Sequence, residues 1–195
     1  MKVLIVVAHP RSDSLTHQAA AAFADALRAG GETVESADLH AEGFNPVLGP
    51  EDEPNWDDPR KRYSTAVREE MARVERNDAT VLVFPVWWWS MPAMLKGWID
   101  RVWNNGWAYG EAEYPHRRVW AIAIAGASEA AYEKRGYDKA ISVQIESGIF
   151  GYCGVKERRL AILYGTLEGQ AEQVTVQARA LGAAFSHVEA AETPS

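Results

Sequence analysis

The chain has 195 residues, 47% of them hydrophobic and 24% charged, with a formal net charge of -7. That composition suits a single globular domain over residues 1–195 with one sizeable core, and it excludes wholesale disorder. The negative balance excludes a nucleic-acid-wide electrostatic footprint, and no apolar run approaches the eighteen residues of a membrane span. Only Val3 to Ala8 separates Lys2 from His9, so no signal peptide is expected. One cysteine, Cys153, precludes an intrachain disulfide and offers no metal cluster. It reads as a small buried apolar residue, and the expected compartment is the cytoplasm.

Val3 to Ala8 is an unbroken apolar run, too short for a helix and suited to a central parallel strand. A polar loop from His9 to Thr16 leads into an alanine-rich helix, Gln18 to Ala29, which Gly30-Gly31 ends. Thr33 to Asp38 forms a weaker second strand. From Leu39 to Tyr63 the pattern lapses, and Pro46, Pro50, Pro54 and Pro59 among acids mark a long excursion. Helix resumes near Ser64, with Val67, Met71 and Val74 on one face.

Val81 to Phe84 is the third strand, stopped by Pro85, which cannot donate to a ladder. Three tryptophans follow, Trp87, Trp88 and Trp89, and Ser90 stands where it would N-cap a helix from Pro92 to Trp103. A helix cannot bury three adjacent indoles on one face. The run therefore reads as a loop whose backbone and flat rings meet something planar, with at least one ring left to fill core or a subunit interface. Arg118 to Ala125 is a fourth strand, and Ile141, Ile145 and Ile149 mark a helical face. Leu160 to Tyr164 is a fifth strand, Glu168 to His187 a last helix, and the residues after Glu189 are expected to fray.

Five strands alternating with helices predict an α/β fold, a doubly wound parallel sheet in the flavodoxin-like order 2-1-3-4-5. Ligands of such sheets lie outside the carboxyl ends of the strands at the switch point between strands 1 and 3. Three unusual segments fall there: His9 to Thr16, Pro85 to Met91, and Ala125 to Tyr132. The first offers Ser12, Ser14 and Thr16 with free amides at a helix start, a phosphate-binding combination, though such residues also serve as plain caps. His9 and Arg11 are ambiguous between anion contact and local structure. No G-x-G-x-x-G and no P-loop pattern is present. The second segment supplies aromatic faces and peptide groups. The third, Ala125-Gly126-Ala127-Ser128, allows close backbone approach to a ring, with the Tyr132 phenol just beyond.

The stretch FPVWWWSMPAMLKGWIDRVW resembles the signature of the NAD(P)H:quinone oxidoreductase family. The GWAYG at Gly106 to Gly110 most resembles its short bacterial branch, which includes ancillary flavoproteins of potassium-efflux systems. The similarity extends through VVAHPRSDSLT, DLHAEGFNPVL and IESGIFGYCG, nearly end to end. It implies a non-covalent flavin, FAD or FMN, with NAD(P)H as donor and a quinone as acceptor in a ping-pong hydride transfer through flavin N5. It also implies a homodimer with active sites at the subunit boundary.

By position, His9, Asp13, Ser14, Leu15 and Thr16 would hold the phosphate and ribityl chain. Pro85, Val86, Trp87, Trp88 and Trp89 would line the ring and ribityl chain, and Ala125, Gly126, Ala127 and Tyr132 would meet its pyrimidine edge. Tyr132 matches a tyrosine that steadies charge on the reduced flavin. Tyr109 matches an aromatic lid lent by the partner subunit, and with Trp89 it would face the substrate.

Departures from the family pattern touch the site. Trp87 stands where relatives often carry glutamine or tyrosine, and Ala125-Gly126-Ala127 replaces a common Thr-Thr-Gly-Gly. The histidine that accompanies the tyrosine is missing, with Arg135 nearest. No arginine for an adenine end occurs around Gln170 to Val174, which leaves both flavins open. Rival readings are a regulatory flavoprotein docked on a membrane transporter, an azo, nitro or FMN reductase, and a one-electron carrier. A signalling receiver would need acids at the end of strand 1, where His9-Pro10 stands instead.

Overall fold

The computed structural model describes residues 1–58 and 60–187; Pro59 of the excursion and the expected fraying after Glu189 lie outside them. Five parallel strands run in the order β2-β1-β3-β4-β5, as expected. They are β1 (Lys2–Val7), β2 (Thr33–Asp38), β3 (Ala79–Pro85), β4 (Arg118–Ile124) and β5 (Glu157–Leu163). Every residue of β3 and β4 is buried, which is why they read as continuous apolar runs rather than alternating ones. Pro85 occupies the last position of β3, where its missing N–H costs the ladder least.

The helices cover both faces. α1 (Leu15–Ala29) and α6 (Gln173–His187) pack on the side that holds Val3, Ile5, Val81, Val83 and Ile122. Gly182 of α6 lies against α1, where an added Cβ would come within 2.7 Å of both Ala26 Cβ and Phe23 O. α2 (Thr65–Glu75) and α3 (Ala93–Val102) pack on the other side, over Leu4, Val6, Leu82, Phe84 and Ala121. Short helices α4 (Glu129–Glu133) and α5 (Tyr137–Ser142) follow β4. Cys153 is buried, and burial pushes its thiol up to about 11, a small core residue as expected.

Three local expectations differ. Ser90 does not cap α3; Pro92 is its N-cap and supplies no side-chain bond, while Ser90 Oγ donates to Gln144 Oε1. The Ile145–Ile149 stretch is not an ordinary α-helix but a nine-residue π-helix, Val143–Gly151. Its widened turn is held by Glu146, which accepts from Leu160 N of the β5 edge and from Ser142 Oγ. α6 begins at Gln173, because Gly165 and Gly169 take positive φ in the preceding loop.

The excursion is tightly anchored. Pro46 O sits directly over Gly97, where any side chain would collide. Arg101 of α3 donates to Asn45 O and to Asp52 Oδ2, the latter at 2.7 Å with neither side chain above 6% exposed. Asp52 also accepts from the backbone N and hydroxyl of Ser64, so the same carboxylate fixes the start of α2.

Candidate active site

Strand register brings the three singled-out segments together. Ala8 N donates to Val83 O, Val86 N to Ile124 O and Ala125 N to Leu163 O, so the carboxyl ends of β1, β3, β4 and β5 lie in sequence along one edge. Ring contacts link the loops that leave them. His9 meets Trp87 with centroids 5.9 Å apart, and Trp89 lies 4.3 Å from Tyr137, which is edge-on to Tyr132.

In the first loop Ser14 caps α1, accepting from His17 N and bonding His17 Nδ1 at 3.0 Å. His17 Nε2 is 2.8 Å from Asp38 Oδ2 at the end of β2. Ser14 and Thr16 are 3% and 2% exposed, so the loop offers an incoming anion mainly peptide groups. The amides of Leu15 and Thr16, in the first turn of α1, have no intrahelical acceptor and point outward with the positive end of the helix dipole. Asp13 and Ser12 are exposed. Burial is the main reason the His9 imidazole is held below its usual range; its Nδ1 accepts from Arg11 N.

The second loop is a tight turn from Trp87 to Ser90, closed by Trp87 N to Ser90 O at 3.0 Å and by the reciprocal bond at 3.1 Å. Its two central residues, Trp88 and Trp89, have φ of 52° and 57°. Both therefore adopt the left-handed conformation that a two-residue mirror-type turn requires and that glycine or asparagine normally supplies. Trp88 is 89% exposed, Trp87 44% and Trp89 41%, so none of the three is core. Bulky residues held in this region mark a site where surrounding structure over-determines the backbone.

The third loop is buttressed by a fourth, Tyr164 to Glu168, which the sequence reading did not single out. Thr166 N donates to Ala125 O, Leu167 N to Gly126 O, Gly165 N to Ala127 O, and Ser128 N to Glu168 Oε1. The signal available was a Gly165-x-x-x-Gly169 pair at the end of a strand. At Gly126 a Cβ would come within 2.9 Å of Leu167 Cδ1. Tyr132, 4% exposed, packs edge-on against Tyr164 and makes no hydrogen bond among the described residues. Burial raises the pKa of Tyr132, and mainly burial pushes Tyr164 up to about 12, so both phenols stay protonated donors at neutral pH. Arg135 bonds Ala131 O at the end of this segment.

Tyr109 is not part of this cluster. It sits in the Gly106–Gly110 turn on the α2–α3 side, between Trp56 at 5.7 Å and Tyr152 at 5.5 Å. Trp56 and Tyr152 are 67% and 64% exposed, so the three rings form an aromatic surface. Among the described residues no helix is long and apolar enough to cross a membrane.

A protein family described by its flavodoxin-like fold matches residues 1–184. An uncharacterised NAD(P)H oxidoreductase of Escherichia coli (strain K12), YcaK, is 38% identical over 174 residues, spanning 89% of this chain and 88% of that protein. NAD(P)H dehydrogenase (quinone) 1 of Rattus norvegicus is 28% identical over 84% of this chain and 68% of its own. Among solved structures, the NAD(P)H:quinone oxidoreductase from Methanothermobacter marburgensis superposes with a TM-score of 0.91 at 30% identity, covering 96% of each chain.

Proposed function

This chain belongs to the family of flavodoxin-like NAD(P)H oxidoreductases, and from that premise we propose a flavin-dependent NAD(P)H:quinone oxidoreductase whose cofactor lies across the three loops. The crevice fits such a group on its own chemistry. Among the described residues it has unpaired amides at the start of α1 for a phosphate, exposed indoles on a tight turn for a flat ring, and an unpaired phenol beside a small-residue loop. A bound flavin, FMN or FAD, supplies the hydride transfer from NAD(P)H to a quinone or similar electrophile.

The residues have separable tasks. Leu15 and Thr16 amides, assisted by His9, would orient the phosphate, and the Asp13 carboxylate of the same loop would accept from the ribityl hydroxyls. Pro85, Val86 and the Trp87–Trp89 turn would support the ring and keep water from it. The backbone of Ala125, Gly126 and Ala127 would approach its polar edge, and Tyr132 Oη–H would donate to the negative charge that develops there. Trp88, Trp56 and Tyr152 are large exposed apolar groups, the last two flanking half-buried Tyr109, which favours a homodimer that covers them and brings Tyr109 over the partner's site.

The observation that carries the reading is Tyr132 beside the third loop: the residue is 4% exposed, its phenol is neutral, and among the described residues its hydroxyl has no partner. The purified protein is expected to be yellow, and chromatography of the released cofactor identifies it as FMN or FAD. Tyr132→Phe is expected to retain the flavin and slow its reduction by NAD(P)H roughly tenfold to a hundredfold in stopped flow. A colourless protein that takes up neither flavin sinks the proposal; an unchanged bleaching rate removes Tyr132 from it.

A further inference from the structure

A hollow of about 360 Å³ lies on the α2–α3 side, and four of the residues lining it are Arg60, Lys61, Arg62 and Arg68. Among the described residues no carboxylate lines it. This is unusual in a chain of net charge -7 whose other arginines are mostly paired: Arg73 with Glu42 and Glu70, Arg76 with Glu35, Arg101 with Asp52, Arg118 with Glu157. Among the described residues none of the four has a carboxylate within 4.0 Å. Glu75, on the adjoining helix, is occupied by the indole Nε1–H of Trp107 at 2.7 Å.

The four cations are differently held. Lys61 Nζ donates to Glu53 O, and Arg68 donates to Tyr63 O and Thr65 Oγ1, which fixes both side chains at the wall of the hollow. Arg60 and Arg62 are exposed, and their guanidinium groups make no hydrogen bond among the described residues. The floor is rigid, because the buried Tyr63 hydroxyl donates to Asn105 O. Two free planar forks above two fixed cations suit a doubly charged tetrahedral anion, which guanidinium binds bidentately.

We propose that this hollow binds a phosphate monoester, the 2′-phosphate of NADPH, and so makes the enzyme prefer NADPH to NADH; the assignment rests on the oxidoreductase reading above. Its position supports a nucleotide over a free ion. Gly106 and Trp107 line the hollow, and Tyr109 belongs to the same turn, closed by Gly106 N to Tyr109 O at 2.9 Å. Trp107 and Tyr109 are two residues apart, so their backbones are separated by no more than about 7 Å. In the proposed homodimer, a dinucleotide whose nicotinamide end lies in the site of one subunit, under the Tyr109 lid of the other, therefore has its adenosine end within reach of the basic hollow of the subunit that lends the lid.

The test uses the flavin-loaded enzyme with menadione as acceptor. Wild type is expected to show kcat/KM for NADPH roughly tenfold or more above that for NADH. In the Arg60→Ala/Arg62→Ala double variant, KM for NADPH should rise about tenfold with kcat little changed, while the NADH parameters stay within about twofold. Calorimetry with 2′,5′-ADP should show binding to wild type that weakens with salt and is lost in the double variant. Equal kinetics with the two nucleotides in wild type overturns the proposal, as does a double variant that affects both alike. Binding of inorganic phosphate without competition by 2′,5′-ADP also overturns it. Should neither nucleotide reduce the flavin, the oxidoreductase reading fails by itself, and 2′,5′-ADP calorimetry still decides the hollow.

Discussion

Asp52 and Arg101, separated by 49 residues in the chain, form an ion pair at 2.7 Å with Asp52 wholly buried. The pair clamps the irregular segment after β2 onto α3, and through Ser64 it also fixes the start of α2. Burial pushes the Asp52 carboxyl up, but the hydrogen bonds from Arg101 and Ser64 outweigh it and hold the group below its usual range. A depressed carboxylate contributes stability above its unfolded pKa and loses it as pH falls through the folded value. Asp52→Asn is expected to cost about 3–5 kcal/mol, because it leaves Arg101 buried and uncompensated. Urea denaturation at pH 7 measures it; a loss below about 1 kcal/mol, the range of surface pairs, contradicts the clamp.

The Trp88–Trp89 turn stores strain that a residue without Cβ would not feel. A left-handed conformation costs an ordinary residue roughly 1–2 kcal/mol. Trp88→Gly is therefore expected to raise the unfolding stability of the single chain, at concentrations too low for dimer formation, by about 1 kcal/mol while weakening flavin binding, since within one chain Trp88 is almost fully exposed and loses no core contact. Denaturation of the flavin-free protein and fluorescence titration with FMN separate the two effects. A variant that is both less stable and unchanged in flavin affinity would show the turn to be a packing feature alone.

His116 is the buried histidine most exposed to acid as a liability. Its Nε2–H donates to the carbonyls of Val74 and Asn77, and its Nδ1 accepts from Thr80. Burial is the chief cause of its depressed pKa, outweighing the two carbonyls and the charge of Asp78. The unfolded chain binds its proton near the ordinary 6.5, the folded one only at lower pH. The stabilisation is thus complete above about pH 6.5 and declines as pH falls toward the folded value, with partly buried His9 adding in the same direction. Unfolding free energy measured between pH 7.5 and 5 should fall more steeply for wild type than for His116→Gln. Equal slopes would remove His116 from the acid response.

The strand order, the switch point and the three loops at the sheet's carboxyl edge could be read from residues 3–164 alone. Each rests on a local signal: an unbroken apolar run, a serine before a helix, a glycine pair after one. Apolar runs report burial on two faces, and a parallel sheet leaves few ways to connect them.

Other features depend on partners far away in the chain and were decided only by packing. Ser90 would be a cap in isolation, but Trp87 and Gln144 claim its backbone and hydroxyl. The left-handed pair at Trp88 and Trp89, the Tyr164–Glu168 loop that buttresses Ala125 to Ala127, and the basic hollow between Arg60 and Trp107 are likewise non-local. Chain pattern determines which segments become strands and helices, because propensity and burial act over a few residues. Site geometry is set by hydrogen bonds and ring contacts spanning tens of residues, and those exist only once the sheet has brought its loops to one edge.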